Sequence, residues 1–150
     1  MSWIDGPLVG FDTETTGVNP AEDRVVTAAL VFRDQSGTRE RTWLIDPGVE
    51  IPESAAAIHG ITTERARAEG RPPAEALEEV AAVITAAQLS GVPVVAFNAG
   101  FDLAILDADL ARHSRPTLPE RLGRPVHPVI DPLVIDRAVD RYRKGKRTLG

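Results

Sequence analysis

The sequence predicts an α/β fold: a mixed five-stranded sheet, antiparallel first and parallel later, flanked by helices. Two observations carry this. The first third reads as three strands joined by tight connections, an antiparallel meander. The remainder alternates apolar runs of strand length with helical repeats, an order that adds parallel strands to a sheet.

Leu8 to Glu14 is the first strand, and Arg24 to Phe32, rich in Val, Ala and Leu, is the second. Asp34-Gln35-Ser36-Gly37 turns the chain, Arg39 to Ile45 returns as the third strand, and Pro47-Gly48 closes the meander. Pro52 to Ile58 reads as a short helix stopped at His59-Gly60, and Thr62-Thr63-Glu64 opens another with a hydroxyl residue available as cap. Pro72 to Leu89 carries the clearest helical signal. Leu77, Val80, Ile84 and Ala87 recur at helical spacing, Glu75, Glu78 and Glu79 gather near the N-terminal end, and Gly91 ends it.

Val92 to Phe97 is wholly apolar, as expected of a strand covered on both faces. Asn98 opens a helix from about Gly100 to Arg112, with Phe101, Ile105 and Leu106 able to pack inward. Ser114 to Gly123, rich in Pro and Arg, reads as a loop, and Val126 to Ile130 as the fifth strand. Pro132 to about Arg143 is the final helix, with Ile135, Ala138, Val139 and Tyr142 on one face.

A chain of 150 residues, 43% hydrophobic and 26% charged, suits one domain with a single core. Its net charge of −5 argues against broad coating of a nucleic-acid backbone but leaves room for an enzyme that grips a few nucleotides at a chain end. There is no cysteine, so disulfides, thiolate metal sites and cysteine nucleophiles are absent. The first residues show no secretory signal, and no apolar run approaches the roughly 20 residues of a membrane span. A cytoplasmic, single-domain protein without membrane partners is the expectation.

The most informative segment is Phe11-Asp12-Thr13-Glu14-Thr15-Thr16-Gly17. In a strand, residues i and i+2 share a face, so Asp12 and Glu14 stand side by side at the end of an apolar run. Two such acids repel each other and lose hydration, and a hard divalent cation, Mg²⁺ or Mn²⁺, compensates both costs. Thr15, Thr16 and Gly17 then turn the chain and leave hydroxyls and N–H groups facing a ligand. The alternative is an acidic turn with solvated side chains.

Asp102 is the second candidate. It follows the apolar strand and sits in the first turn of the next helix, where functional groups gather beyond the carboxyl ends of strands. An acid there can also simply complement the helix dipole. Asn98 offers an amide that can cap the helix or contact a ligand, and Phe101 is either core or a surface against which a base rests. Asp12, Glu14 and Asp102 can converge at one end of the sheet, and three carboxylates fit a two-metal phosphodiester site.

F-D-T-E-T-T-G, then I-H-G-I-T at 58–62, then F-N-A-G-F-D at 97–102, resemble the DEDD superfamily of 3′–5′ exonucleases. The branch most similar is that of the proofreading epsilon subunit of bacterial DNA polymerase III and its stand-alone relatives. The resemblance implies an RNase H-like fold and metal-dependent release of nucleoside 5′-monophosphates from the 3′ ends of single-stranded nucleic acid, DNA or RNA, with a polymerase subunit as a partner the family also suggests. It makes Asp12 and Glu14 first-motif metal ligands and Asp102 the second-motif acid. Thr15, Thr16, His59 and Ile61 would line the terminal nucleotide's pocket, with Phe101 nearby. Phe97 stands where the family often has His before the Asn of the second motif.

The family's third motif supplies a general-base His or Tyr and a fourth Asp. Asp131-Pro132-Leu133 and the basic stretch to Arg147-Thr148-Leu149 resemble the segment leading up to it, and the sequence then stops at Gly150. His127 precedes Asp131 by four residues, but both belong to the strand and turn before the last helix, and His59 with Glu64 belongs to the I-H-G-I-T region. His113 has no acid at useful spacing, and Tyr142 has Lys146 where an acid is needed. The expectation is a single domain, residues 1–150, without that motif and with much reduced turnover, since a general base is worth about 10²–10⁴ in rate. The basic residues Arg137, Arg141, Arg143, Lys144, Lys146 and Arg147 can touch phosphates or form a solvated face with Asp136 and Asp140.

Two rival readings are weaker. A haloacid-dehalogenase-like phosphatase also ends a strand in acids, but Glu14 would replace its second Asp and the antiparallel opening disagrees with that fold. A catalytically silent nucleic-acid- or polymerase-binding module would leave Asp12, Glu14 and Asp102 without a purpose. Substrate choice between DNA and RNA, biological setting and oligomeric state are not written in these motifs.

Overall fold

Strand alternation builds the sheet from β1 outwards. In β1 (Leu8–Thr15), Val9, Phe11 and Thr13 are buried on one face, while Asp12 and Glu14 point to the other. β1 pairs antiparallel with β2 (Val25–Asp34), which pairs antiparallel with β3 (Gly37–Leu44). On its other edge β1 pairs in parallel with β4 (Val94–Val95), which pairs in parallel with β5 (Val129–Ile130). The spatial order is therefore β3-β2-β1-β4-β5, a mixed five-stranded sheet. This computed structural model describes residues 6–131. The expected final helix from Pro132 and its basic residues lie outside them.

Five helices occur among the described residues: α1 (Glu53–His59), α2 (Thr63–Glu69), α3 (Pro73–Leu89), α4 (Ala99–Arg112) and α5 (Leu118–Leu122). α3 buries Leu77, Val80, Ala81 and Ile84, and α4 buries Ile105, Leu106 and Leu110. These meet Val9, Phe11, Ala28, Leu30, Trp43 and Val94 of the sheet in the main core. A smaller cluster of Val26, Ile51, Ala55, Ile61 and Ala66 seats α1 and α2. Thr62 caps α2 by accepting from the Arg65 N–H at 3.2 Å, as its sequence position predicts. No described helix is long and apolar enough to cross a membrane.

Three expectations change. The expected loop Ser114–Gly123 contains α5. Thr117 and Glu120 form a reciprocal capping box around its first turn, which offsets the helix-breaking composition nearby. The apolar run Val92–Phe97 yields only two paired residues, because α4 begins at Ala99 and the chain must turn away from the sheet first. Nor is that run covered throughout, since Phe97 is 66% exposed. The fifth strand is likewise trimmed to Val129–Ile130.

Candidate active site

The lip of the site is made where β1 ends. A bulge interrupts the β1–β2 register between Glu14 and Thr15, and Thr15 Oγ1 then donates to the Gly17 carbonyl at 2.7 Å. Asp23 organises the turn. Its Oδ1 accepts from Thr16 Oγ1 at 3.0 Å and its Oδ2 from the Asn19 N–H at 2.8 Å, while Thr16 Oγ1 accepts from the Arg24 N–H at 3.0 Å. Gly17 is required by this packing, because a Cβ there would lie 2.5 Å from Asp23 Oδ2.

His59, the last residue of α1, braces the same lip. The Ile61 N–H approaches its Nδ1 at 3.1 Å, and its Nε2 lies 3.2 Å from the Thr15 carbonyl. A backbone amide can only donate and a carbonyl can only accept. In this geometry Nδ1 accepts from Ile61 and Nε2 is the nitrogen that donates to Thr15. Glu14, Thr15, Thr16, His59 and Phe101 line a pocket of about 360 Å³, whose rim carries the exposed side chains of Val18 and Ile58.

Asp102 occupies the first turn of α4 and is only 5% exposed. Its Oδ1 accepts from the buried Thr13 Oγ1 at 2.6 Å, across from the face that carries Asp12 and Glu14. Burial pushes the Asp102 carboxyl up to about 6. The Thr13 bond opposes that rise, and the negative charges of Asp12, Asp131 and Glu14 add to it. The three predicted acids thus come within electrostatic reach of one another, joined by Asp131 from the end of β5.

Asn98 stands at the N-cap position of α4 in the left-handed region (φ 68°, ψ 50°), but its side chain makes no capping bond. The left-handed turn brings the first free amide of α4 toward β5 instead, and Asp131 Oδ2 accepts from the Ala99 N–H at 3.1 Å. The Asn98 side chain is exposed. Ile61, expected in the pocket, is buried in the smaller core, and only its amide serves the site by anchoring His59. Phe101 does both things considered for it, packing on the main core and lining the pocket.

The donor set is all hard oxygen, mutually repelling and partly desolvated, and that chemistry fits a divalent cation. As placed, no group of three or more acidic or histidine side chains among the described residues is close enough to hold an ion. Sequence reasoning missed Thr13, Asp23 and Asp131. Thr13 had a visible signal, since alternation turns it inward between two outward acids.

A mixed sheet of this order carries Asp12 and Glu14 on β1 and Asp102 in the first turn of α4, and comparison with known proteins gives the family. A family model described as Exonuclease (RNase T) matches residues 9–149. The chain belongs to this exonuclease family, within the DEDD 3′–5′ exonuclease superfamily. It is 32% identical over 133 residues to the DNA polymerase III subunit epsilon of Treponema pallidum, covering 88% of this chain and 56% of that protein. It is 30% identical over 134 residues to the PolC-type DNA polymerase III of Streptococcus thermophilus, covering 89% of this chain and 8% of that one. The chain therefore spans little more than half of the first relative and a small part of the second. Among solved structures, exonuclease I in its apo form superposes with a TM-score of 0.75 at 22% identity, over 93% of this chain and 32% of its own. That likeness supports the fold, which is RNase H-like as the resemblance implied.

Proposed function

We propose that this chain is a metal-dependent 3′–5′ exonuclease domain that releases nucleoside 5′-monophosphates from single-stranded 3′ ends of DNA or RNA. It would act in the cytoplasm, alone or beside a polymerase subunit. The observation that carries the reading is the electrostatic coupling of Asp12, Glu14 and Asp102 next to a pocket of nucleotide size. Family membership supports it independently.

In this reading Asp12, Glu14 and Asp102 hold Mg²⁺ or Mn²⁺. A pair of such ions, held by these carboxylates, would supply water activation and stabilisation of the leaving oxygen. Asp102 must be ionised to serve as a ligand, so its elevated carboxyl makes ion binding compete with a proton near pH 6. His59 has both ring nitrogens engaged and acts by fixing the Thr15 carbonyl, not by taking a proton. Thr15, Thr16 and the Gly17 turn offer polar groups to a terminal sugar and phosphate. Phe101, Val18 and Ile58 offer apolar surface that suits any base.

The test is a gel assay on 5′-labelled single-stranded DNA and RNA with Mg²⁺ or Mn²⁺, beside the Asp12→Ala variant. A ladder shortening from the 3′ end, lost in the variant and on chelation, is the expected result. Binding of the strand without any shortening, unchanged by Asp12→Ala, would favour a silent nucleic-acid-binding module instead.

A further inference from the structure

Asp102 and Asp109 are the two buried acids among the described residues, and both lie in the buried stripe of α4, two turns apart. The proposed chemistry uses only Asp102. Asp109 is 1% exposed among Ile105, Leu106 and Leu110, where an ionised side chain is costly unless it is bonded. Its Oδ2 accepts from the Val25 N–H at 3.0 Å, 84 residues away in sequence. Its Oδ1 accepts from Arg112 Nη1 at 2.5 Å, with His113 Nε2 at 3.8 Å.

Val25 is the first residue of β2, and it faces Thr15 across the point where the bulge breaks the register. Beside it, the Thr16 N–H donates to the Arg24 carbonyl at 3.0 Å, and the Arg24 N–H donates to Thr16 Oγ1 at 3.0 Å. Arg24 and Val25 are thus the backing against which Thr15 and Thr16 lie. A bulge disrupts ladder pairing, and here a side-chain carboxyl oxygen from the helix accepts the amide's hydrogen bond. Arg112 extends the tie, donating through Nη2 to the Ala21 carbonyl at 3.2 Å. One end of α4 therefore fastens the connection that shapes the pocket lip, while the other end carries Asp102.

We infer that Asp109 is a positioning residue: by holding the Val25 amide it sets the β1 bulge and the Thr15–Thr16 lip relative to Asp102. This rests on the exonuclease reading only for its kinetic consequences. A lip displaced by about an ångström is enough to cost on the order of tenfold to a hundredfold in substrate use.

The experiment uses the full chain and compares Asp109→Ala, which removes the acceptor, with Asp109→Asn, which keeps one. Three quantities are read: residue-resolved amide hydrogen exchange by NMR, the Kd for fluorescein-labelled oligo-dT in Ca²⁺, and KM and kcat with Mn²⁺. In Asp109→Ala, exchange at Val25, Thr15 and Thr16 should accelerate beyond the change at Leu30, and Kd and KM should rise about tenfold with kcat within about threefold. Asp109→Asn should restore all of these to within about threefold of the wild type. Unchanged Kd, KM and local exchange in a folded Asp109→Ala would overturn the inference, as would Asp109→Asn behaving like Asp109→Ala. If Asp109→Ala does not fold, Asp109→Glu moves the acceptor by one methylene, and wild-type KM and Val25 exchange in that variant would overturn it equally. A wild type that cleaves nothing refutes the exonuclease reading alone, because the exchange comparison still judges Asp109.

Discussion

Replacing Asp102 with Asn should make the protein more stable while removing its activity. Burial and three neighbouring carboxylates lift the Asp102 carboxyl from its ordinary 3.8 to about 6. At 1.36 kcal/mol per unit, ionising it in the folded state costs about 3 kcal/mol. Because the folded value is the raised one, the favourable contribution is complete below 3.8 and is lost as pH rises through about 6. Asn carries no charge and still offers Thr13 Oγ1 an acceptor in place of the 2.6 Å bond. Without divalent ions, the variant should therefore be about 2–3 kcal/mol more stable near pH 8, and the gain should vanish near pH 4. For a domain of this size that is on the order of 5–10 °C in Tm. Urea unfolding in EDTA at both pH values measures it, with the gel assay run in parallel for the loss of 3′ trimming. A variant no more stable than wild type near pH 8, or a gain of equal size near pH 4, would refute the reasoning.

His59→Ala removes both the donor to the Thr15 carbonyl and the anchor for the Ile61 amide, and should raise KM about tenfold with a smaller effect on kcat, checked by steady-state kinetics. Gly17→Ala drives a methyl group into Asp23 and should lower kcat/KM about tenfold while costing about 1–3 kcal/mol in urea unfolding. Glu79, bonded first to Arg71 and then to Trp43, has its carboxyl lowered to about 2. Its stabilising contribution is present above 4.5 and lost as pH falls through about 2, so Glu79→Gln should melt below wild type at neutral pH. That difference should close in acid, and a gap that persists there would count against the charge as its cause.

Much of this fold was written in local pattern. Apolar runs of strand length bounded by turn residues marked β1 and β2, and the Leu77, Val80, Ile84 series marked α3, because each rests on neighbours within a few residues. α5 was equally local, since Thr117 and Glu120 are a capping box, but the Pro- and Arg-rich setting of Ser114–Gly123 obscured it. The cap of α4 was not local. Asn98 has the right chemistry for that bond, yet the backbone's left-handed turn gives the Ala99 amide to Asp131, 32 residues away just past the end of β5. Only the parallel pairing of β4 with β5 makes that carboxylate adjacent, and no spacing rule within one sequence expresses it. The candidate acids Asp12, Glu14 and Asp102 stood out in the sequence by type and position. Their mutual approach, and the Thr13 bond that holds Asp102, depend on how α4 docks on the sheet.

The two buried acids of α4 show how the chain separates architecture from chemistry. They share a helix face and are nearly equally sequestered, at 5% and 1% exposed. Asp109 is met by a backbone amide and a guanidinium, so its charge is matched by donors of the fold itself. Asp102 is met by one hydroxyl and by the fields of three other carboxylates, which oppose its ionisation. The second arrangement is unfavourable as structure whenever the carboxyl is ionised, and a proton or an external cation relieves it. A perturbed acid with that imbalance, beside a pocket, is what a catalytic centre looks like before its ligand is considered. On this argument the location of the chemistry follows from where the fold leaves charge uncompensated, and Asp109, fully answered by its neighbours, belongs to the frame that holds the site in place.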